Sequence, residues 1–312
     1  MIGVLGASGF IGRSLADYLA QQQHSYKLFL RQARMDNVPA FSGDPQIAAF
    51  DMGTDVDASV FENIETLVLS TSATRPNLPE NNIENEILSN VLPHSQLFSQ
   101  LLNSDVKHII FLSSGGTIYG NIDQVEPITE DMPRHPCSPY GYGKLCIESA
   151  LENIWVGAGR RFTIIRAANP VGPHQLASVG AHGLVTTTFH NIQNDKEIKI
   201  FGDGTAVRDY FSVYDLSRLI AIAAAKDMQE SVIVNASSGQ GLNVNDVVAL
   251  CAAELGKRPR IKHDLGRQPK IQSNILSNEK ALEIFGWKPT MSFSQILSNL
   301  NASLDADQNQ RG

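Results

Sequence analysis

The stretch Gly6-Ala7-Ser8-Gly9-Phe10-Ile11-Gly12 constrains this chain more than any other. It follows Ile2-Gly3-Val4-Leu5, an apolar run of strand length, and opens a segment with Ile11, Leu15, Tyr18 and Leu19 on one helical face. Three glycines spaced by two residues, between a strand and a helix, make a tight turn that a pyrophosphate can approach. The phosphates then rest on the helix N-terminus. Gly6, Ser8, Gly9, Phe10, Ile11 and Gly12 are therefore candidate cofactor-binding residues. A turn without a ligand would use the same glycines; the strand–turn–helix context at the very start of the chain favours the ligand.

The same alternation continues downstream. Strands are expected at 26–30, 47–50, 65–70, 107–112 and 161–166, with helices at about 84–102 and from Tyr140 onward. This rhythm specifies an α/β, doubly wound parallel sheet of Rossmann type with helices on both faces. Ligands of such sheets sit beyond the carboxyl ends of the strands. Arg31 ends the second strand, with Arg34 close by, where NAD sites usually carry an acid. An arginine there suits the 2′-phosphate of NADP, or is a solvated strand end. Asp51, with Met52 beside it, is placed to accept from an adenine amine, or is a loop carboxylate. Ser70 and Thr71 form the polar exit of the next strand, beside the expected cofactor.

Tyr140 and Lys144, in Ser138-Pro139-Tyr140-Gly141-Tyr142-Gly143-Lys144, are four apart and share a helix face. A phenol with its ordinary pKa of about 10 is a poor base at neutral pH. An ammonium one turn away is expected to lower that value and make the phenol a general base or acid. Alone the pair reads as two surface residues; the dinucleotide turn and the hydroxyl-bearing strand end Ser113-Ser114-Gly115-Gly116-Thr117 give it weight.

After Asn169-Pro170-Val171-Gly172-Pro173 the rhythm breaks and the elements shorten. Residues 1–168 are expected to form the dinucleotide-binding domain, with 206–228 returning to it, and 169–312 mainly a smaller C-terminal substrate-binding lobe. The net charge of −7 carries no basic run, which argues against nucleic acid as a partner. No apolar run reaches membrane-spanning length, and no signal peptide is visible, so a cytoplasmic protein is expected. Cys137, Cys146 and Cys251 lack metal-ligand spacing and read as free thiols; no metal is expected.

Taken together these motifs resemble the extended short-chain dehydrogenase/reductase family, in its nucleotide-sugar branch typified by UDP-galactose 4-epimerase. Arg166-Ala167-Ala168-Asn169-Pro170-Val171-Gly172-Pro173 is similar to its R-x-x-N-x-x-G-P, and Gly202-Asp203-Gly204-Thr205-Ala206-Val207-Arg208-Asp209-Tyr210 to its G-D-G-x-x-x-R-D-Y. Val213-Tyr214-Asp215-Leu216 and Phe285-Gly286-Trp287-Lys288-Pro289 match its V-x-D-L and its closing L-G-W-x-P. The resemblance implies Tyr140 as general base/acid and Lys144 as its tuner and ribose ligand. It implies Asn90 near the cofactor, Asn169 on the substrate nucleotide or sugar, and Arg208 and Arg267 on the diphosphate. His174 and His182 read as solvated loop residues. One departure matters: the family's Ser or Thr four residues before the Tyr of its Y-G is Gly115 here, so the hydroxyl role passes to Ser114 or Thr117. Another is that Gly116 and Thr117 stand where sugar-dehydrating relatives carry acids.

The resemblance therefore implies an NAD- or NADP-dependent 4-epimerase of a UDP- or dTDP-hexose. An NADPH-dependent 4-keto-sugar reductase and a non-catalytic protein of the same fold are the alternatives. A homodimer pairing the helices at 84–102 and 140–154 is implied as well.

Overall fold

Parallel strands buried on both faces read as continuous apolar runs, and Ile2-Gly3-Val4-Leu5 and Thr66-Leu67-Val68-Leu69 are such runs, buried at every position. A computed structural model of the chain describes residues 1–54, 57–76, 82–122, 127–175 and 183–309. Two compact units emerge: residues 1–118, 136–166 and 217–234 in the first, and 119–135, 167–216 and 235–312 in the second. The chain thus crosses between units more often than expected. Residues 119–135 join the second unit, and the returning stretch is 217–234 rather than 206–228.

The first unit is built on β1 (Ile2–Leu5), α1 (Phe10–Gln21), β2 (Tyr26–Leu30), β3 (Gln46–Ala49) and β4 (Thr66–Leu69). It continues with α2 (Ile83–Glu86), a π turn (Ile87–Val91), α3 (Leu92–Leu101), β5 (His108–Ser114), α4 (Gly115–Ile118), α5 (Pro139–Gly157) and β6 (Arg161–Ala167). The sheet runs β3-β2-β1-β4-β5-β6-β10, where β10 is Val232–Ala236. The order reverses between β1 and β4, which are parallel with Ile2 opposite Thr66 and Leu5 opposite Leu69. A topological switch point of this kind opens a crevice at the carboxyl ends of its two strands. Leu5, Phe29, Leu67, Phe98, Phe111, Leu151 and Trp155 form the core that holds helices against this sheet.

The expected helix at 84–102 is present but interrupted. Pro93, in the first turn of α3, has no N–H for the carbonyl four residues back. The π turn just before it absorbs the lost bond and places Asn90 inward, buried.

The second unit holds β7 (Asn169–Val171), α6 (Leu184–Gln193), β8 (Glu197–Phe201), β9 (Val207–Ser212) and the start of α7 (Val213–Ala225). It adds β11 (Gly241–Asn243), α8 (Val244–Leu255), β12 (Arg260–Asp264), β13 (Ser273–Asn274), α9 (Glu279–Phe285) and α10 (Phe293–Asn309). Strand β9 is its centre, pairing with β7, β11 and β13. Phe189, Ile198, Ile200, Tyr210, Val248, Cys251 and Leu297 supply the core. Buried Asp215 fastens the closing segment: its carboxylate accepts from the N–H and hydroxyl of Thr290 and from Met291 N–H, and its carbonyl accepts from Trp287 Nε1 at 2.9 Å.

Candidate active site

The glycine turn has the shape the spacing requires. Gly6 sits at φ +87°, and its carbonyl accepts from Gly9 N–H at 3.0 Å. A Cβ on Gly12 would lie 2.2 Å from the Gly6 oxygen, so only glycine lets α1 pack this close to β1. Gly9 is the N-cap of α1 and offers no side chain to the helix end. The first N–H groups of α1 are thus left for an outside acceptor, and a pyrophosphate fits that need. Ser8, Phe10 and Ile11 line the same turn, half-buried.

The structure gathers the other candidates of the crevice around it. Ser70, one residue past β4, donates from Oγ to the carbonyl of Leu5, one strand over, at 2.8 Å. Its Oγ lies 2.8 Å from where a Cβ on Gly6 would be. Thr71 Oγ1 donates to Met52 Sδ at 3.3 Å and meets His94 Nε2 at the same distance. Asp51 already accepts from Gln32 N–H at 3.2 Å, which fastens the segment after β2. Arg31 and Arg34 are exposed, at the start of a 3-10 turn over Gln32–Asn37.

Helix α5 begins where its punctuation predicts. Ser138 caps it by accepting from Gly141 N–H at 3.2 Å, and Pro139 fills the first turn. Lys144 is 5 % exposed and donates from Nζ to the Leu112 carbonyl of β5 at 2.9 Å. The same ammonium stands 4.7 Å over the Phe111 ring and 5.7 Å over that of Tyr140. Burial brings Lys144 down to about 8, against the pull of Glu86 and Glu148. Tyr140, half-buried, departs from expectation: burial first, then the charge of Glu86, push its phenol above the ordinary value of 10.0. The lysine is within reach of the ring, yet in the free protein desolvation and a carboxylate outweigh it.

Ser114 ends β5, half-buried, and Thr117 lies in α4. Thr117 Oγ1 is buried without a hydrogen-bond partner, and so is Ser113 Oγ. A Cβ at Gly141 would lie 2.7 Å from the Thr117 carbonyl, so α4 packs directly on the residue after Tyr140. An orphaned hydroxyl here is an open valence for a ligand oxygen.

Sequence reasoning missed the polar stripe beneath this pair. Glu86, Asn90 and His94 recur every four residues and are all buried. Asn90 donates from Nδ2 to Glu86 Oε1 and to Thr74 Oγ1, both at 3.0 Å, and accepts from Ala73 N–H at 2.8 Å. Thr74 Oγ1 donates to Glu86 Oε2 at 2.6 Å. His94 Nδ1 meets the Asn90 carbonyl at 2.7 Å, and burial with the Lys144 charge brings its ring down to about 3. The four-residue period was visible; that the stripe faces inward was not.

The remaining candidates lie in the second unit. Asn169 donates from Nδ2 to the Asp209 carbonyl at 2.8 Å. Arg208 donates to the carbonyls of Val207 at 2.7 Å and Ile271 at 2.8 Å. Arg267 is exposed and lies 4.2 Å over the Phe201 ring. Asp209 is buried and raised to about 6 by that burial, while its carboxylate collects the N–H groups of Ser238 and Gly239. His174 has a left-handed backbone at φ 67°; His182 lies outside the described residues. Among the described residues no cluster of three or more His, Cys, Asp or Glu could hold a metal ion, and no helix is long and apolar enough to cross a membrane.

Sheet order, glycine turn and the Tyr140–Lys144 pair together describe a dinucleotide-binding, doubly wound protein. The chain belongs to the NAD dependent epimerase/dehydratase family, whose model matches residues 2–237. It is 27% identical over 300 residues, 95% of each chain, to a putative UDP-glucose 4-epimerase of Methanocaldococcus jannaschii. It is 26% identical over 313 residues, 96% of each chain, to a dTDP-4-dehydro-6-deoxyglucose reductase of Escherichia coli. The crystal structure of a UDP-glucose 4-epimerase from Thermotoga maritima with UDP-glucose superposes with a TM-score of 0.86 at 27% identity, covering 98% of this chain and 99% of that one.

Proposed function

We propose that this protein is an NAD- or NADP-dependent 4-epimerase of a nucleotide-activated hexose, UDP-linked by preference. The observation that carries the reading is the pairing of Tyr140 with a buried Lys144 that donates to the Leu112 carbonyl at 2.9 Å, in a unit that also carries the glycine cradle. Gly6, Ser8, Gly9, Phe10, Ile11 and Gly12 would hold the pyrophosphate, Asp51 and Met52 the adenosine side, and Ser70, Thr71 and Asn90 would lie toward the nicotinamide end. A dinucleotide held there supplies a reversible hydride acceptor for the sugar carbon.

Tyr140, as phenolate, takes the proton of the 4-hydroxyl while that carbon gives up its hydride. The resulting ketone turns and is reduced on its other face, and Tyr140 returns the proton, so protons and electrons balance over the cycle. Lys144 holds a positive charge beside the phenol, and Thr117 or Ser114 donates to the reacting oxygen. The orphaned state of Thr117 Oγ1 favours Thr117. Arg208, Arg267 and Asn169 tether the nucleotide so that the ketone is retained while it turns. No carboxylate stands at Gly116 or Thr117, which argues against dehydration of the sugar. Ile83, Ile87, Leu88 and Leu92 form an exposed apolar stripe along α2, the π turn and α3, which supports a homodimer through these helices and α5.

A second reading, an NADPH-dependent 4-keto-sugar reductase, is favoured by Arg31 and Arg34 after β2 and by the Escherichia coli relative. Incubation of the protein with dinucleotide and UDP-glucose, UDP-galactose or their N-acetylamino counterparts separates the two. Interconversion without net NADPH consumption is expected. Stoichiometric NADPH oxidation by a 4-keto sugar, with no interconversion of any pair, would replace the first reading by the second. Tyr140→Phe should lower turnover by roughly 10³-fold, the scale of a lost general acid/base, with dinucleotide still bound.

A further inference from the structure

We infer that Glu86 is a positioning residue of the Tyr140–Lys144 site: its carboxylate, seated on Gly143 between the two, fixes their charge state and ties helix α5 to Thr74 and Asn90. The inference rests on the catalytic roles proposed above.

Tyr140, Gly143 and Lys144 are related by three and four residues, so they share one face of α5. A Cβ at Gly143 would lie 2.4 Å from both Cγ and Oε1 of Glu86. Only a glycine lets the carboxylate come down onto the helix there, next to Lys144 and one turn from Tyr140. Glu86 is 1 % exposed, and both its oxygens accept: Oε1 from Asn90 Nδ2 at 3.0 Å, Oε2 from Thr74 Oγ1 at 2.6 Å. Asn90 passes the linkage on to Ala73 N–H, in the strand exit that holds Ser70 and Thr71. The carboxylate is thus fixed from two sides and has no rotamer freedom to drift from Gly143.

Lys144 is the cation on this face of α5, one residue past Gly143, and the charge of Glu86 favours its ammonium form. Other titratable groups also face the pair. His94 of α3 is neutral, held at about 3. Glu148 of α5 is engaged by Arg166 of β6 at 2.8 Å. Strand β5 contributes the Leu112 carbonyl and the Phe111 ring, neither titratable. Glu86 is the carboxylate that acts on the phenol, holding its proton on, and it also holds charge on Lys144. The free site therefore rests with Tyr140 protonated.

The test compares Glu86→Gln and Glu86→Asp with the wild type in two readouts. One is the acid limb of the kcat/KM–pH profile. The other, independent of turnover, is the alkaline phenolate absorbance of the free protein, taken as the difference from Tyr140→Phe. Glu86→Gln removes the negative charge, so the phenolate forms more readily. Its acid limb should move to lower pH by about one unit, a roughly tenfold change in proton concentration, and its phenolate should appear at lower pH. Glu86→Asp withdraws the charge from Gly143 and should move both in the same direction by less. It also decides the matter alone if Glu86→Gln does not fold. A limb and an absorbance unmoved in the folded variants would overturn the inference, leaving Glu86 a packing residue. If Tyr140→Phe kept full turnover, the parent reading would fail first; a dead Tyr140→Phe with unmoved Glu86 variants sinks only this inference.

Discussion

The two units prepare for a ligand in opposite ways. In the first, Glu86, Asn90, His94 and Lys144 are 1–5 % exposed; Asn90 is bonded to Glu86 and His94, and Lys144 to the Leu112 carbonyl. In the second, two candidate phosphate ligands lie against neutral groups: Arg208 donates to two carbonyls, and Arg267 lies over an aromatic face. Charge-assisted pairs with a diphosphate are about twice as strong as hydrogen bonds between neutral groups, so a phosphate can compete for these arginines. The first arrangement fixes geometry and tunes proton affinity. The second holds Arg208 on uncharged carbonyls and leaves Arg267 exposed.

Breaking the first arrangement should have the larger effect. Gly12→Ala puts a Cβ 2.2 Å from the Gly6 oxygen, which forces β1 and α1 apart at the cradle. Dinucleotide affinity measured by calorimetry should fall roughly a hundredfold, about 2.7 kcal/mol. An affinity within threefold of wild type would mean that the cradle tolerates movement and that the contrast between the units is overstated. In the second unit, Arg208→Lys should raise KM for the nucleotide sugar about tenfold and leave kcat nearly unchanged, because a lysine cannot present a planar fork to two phosphate oxygens. A fall in kcat with unchanged KM would place Arg208 in the chemical step and erase the distinction.

The smallest effect is on stability, where the units should answer acid with opposite signs. In the first, burial lowers His108 from 6.5 to about 4, with its Nε2 2.9 Å from Thr163 Oγ1, and lowers His94 further. The unfolded rings take up protons below about 6.5 while the folded ones do not, so this contribution is complete above 6.5 and is lost as pH falls toward 4. In the second, Asp209 is raised from 3.8 to about 6, so the folded state binds a proton first and gains stability as pH falls through that window. Urea unfolding across this range should show the wild-type advantage over His108→Gln shrinking on acidification, and that over Asp209→Asn growing. Parallel behaviour of the two differences would remove the contrast.

Much of this was legible in residue order. The strand rhythm indicated a doubly wound parallel sheet, because strands buried on both faces are apolar throughout and parallel neighbours need crossover connections. The chain leaves the first unit after Arg166 and returns to it at Ser217. Residues 119–135 were misassigned because short segments without a period carry no signal of which core they join. The π turn at Ile87–Val91 was unread although Pro93 announces it. Glu86 was passed over because a glutamate in a helix is usually solvated, and no local rule marks the exception.

What the sequence determined by itself is what backbone geometry fixes locally. Three glycines at a strand–helix junction can only make a close turn, and a tyrosine and lysine four apart on a helix must share a face. Tertiary structure alone decided the electrical state of that face. Desolvation and Coulomb interactions act through space, so the proton affinity of Tyr140 is shifted first by its burial and then by the charge of Glu86, a carboxylate from another helix brought to Gly143 by folding.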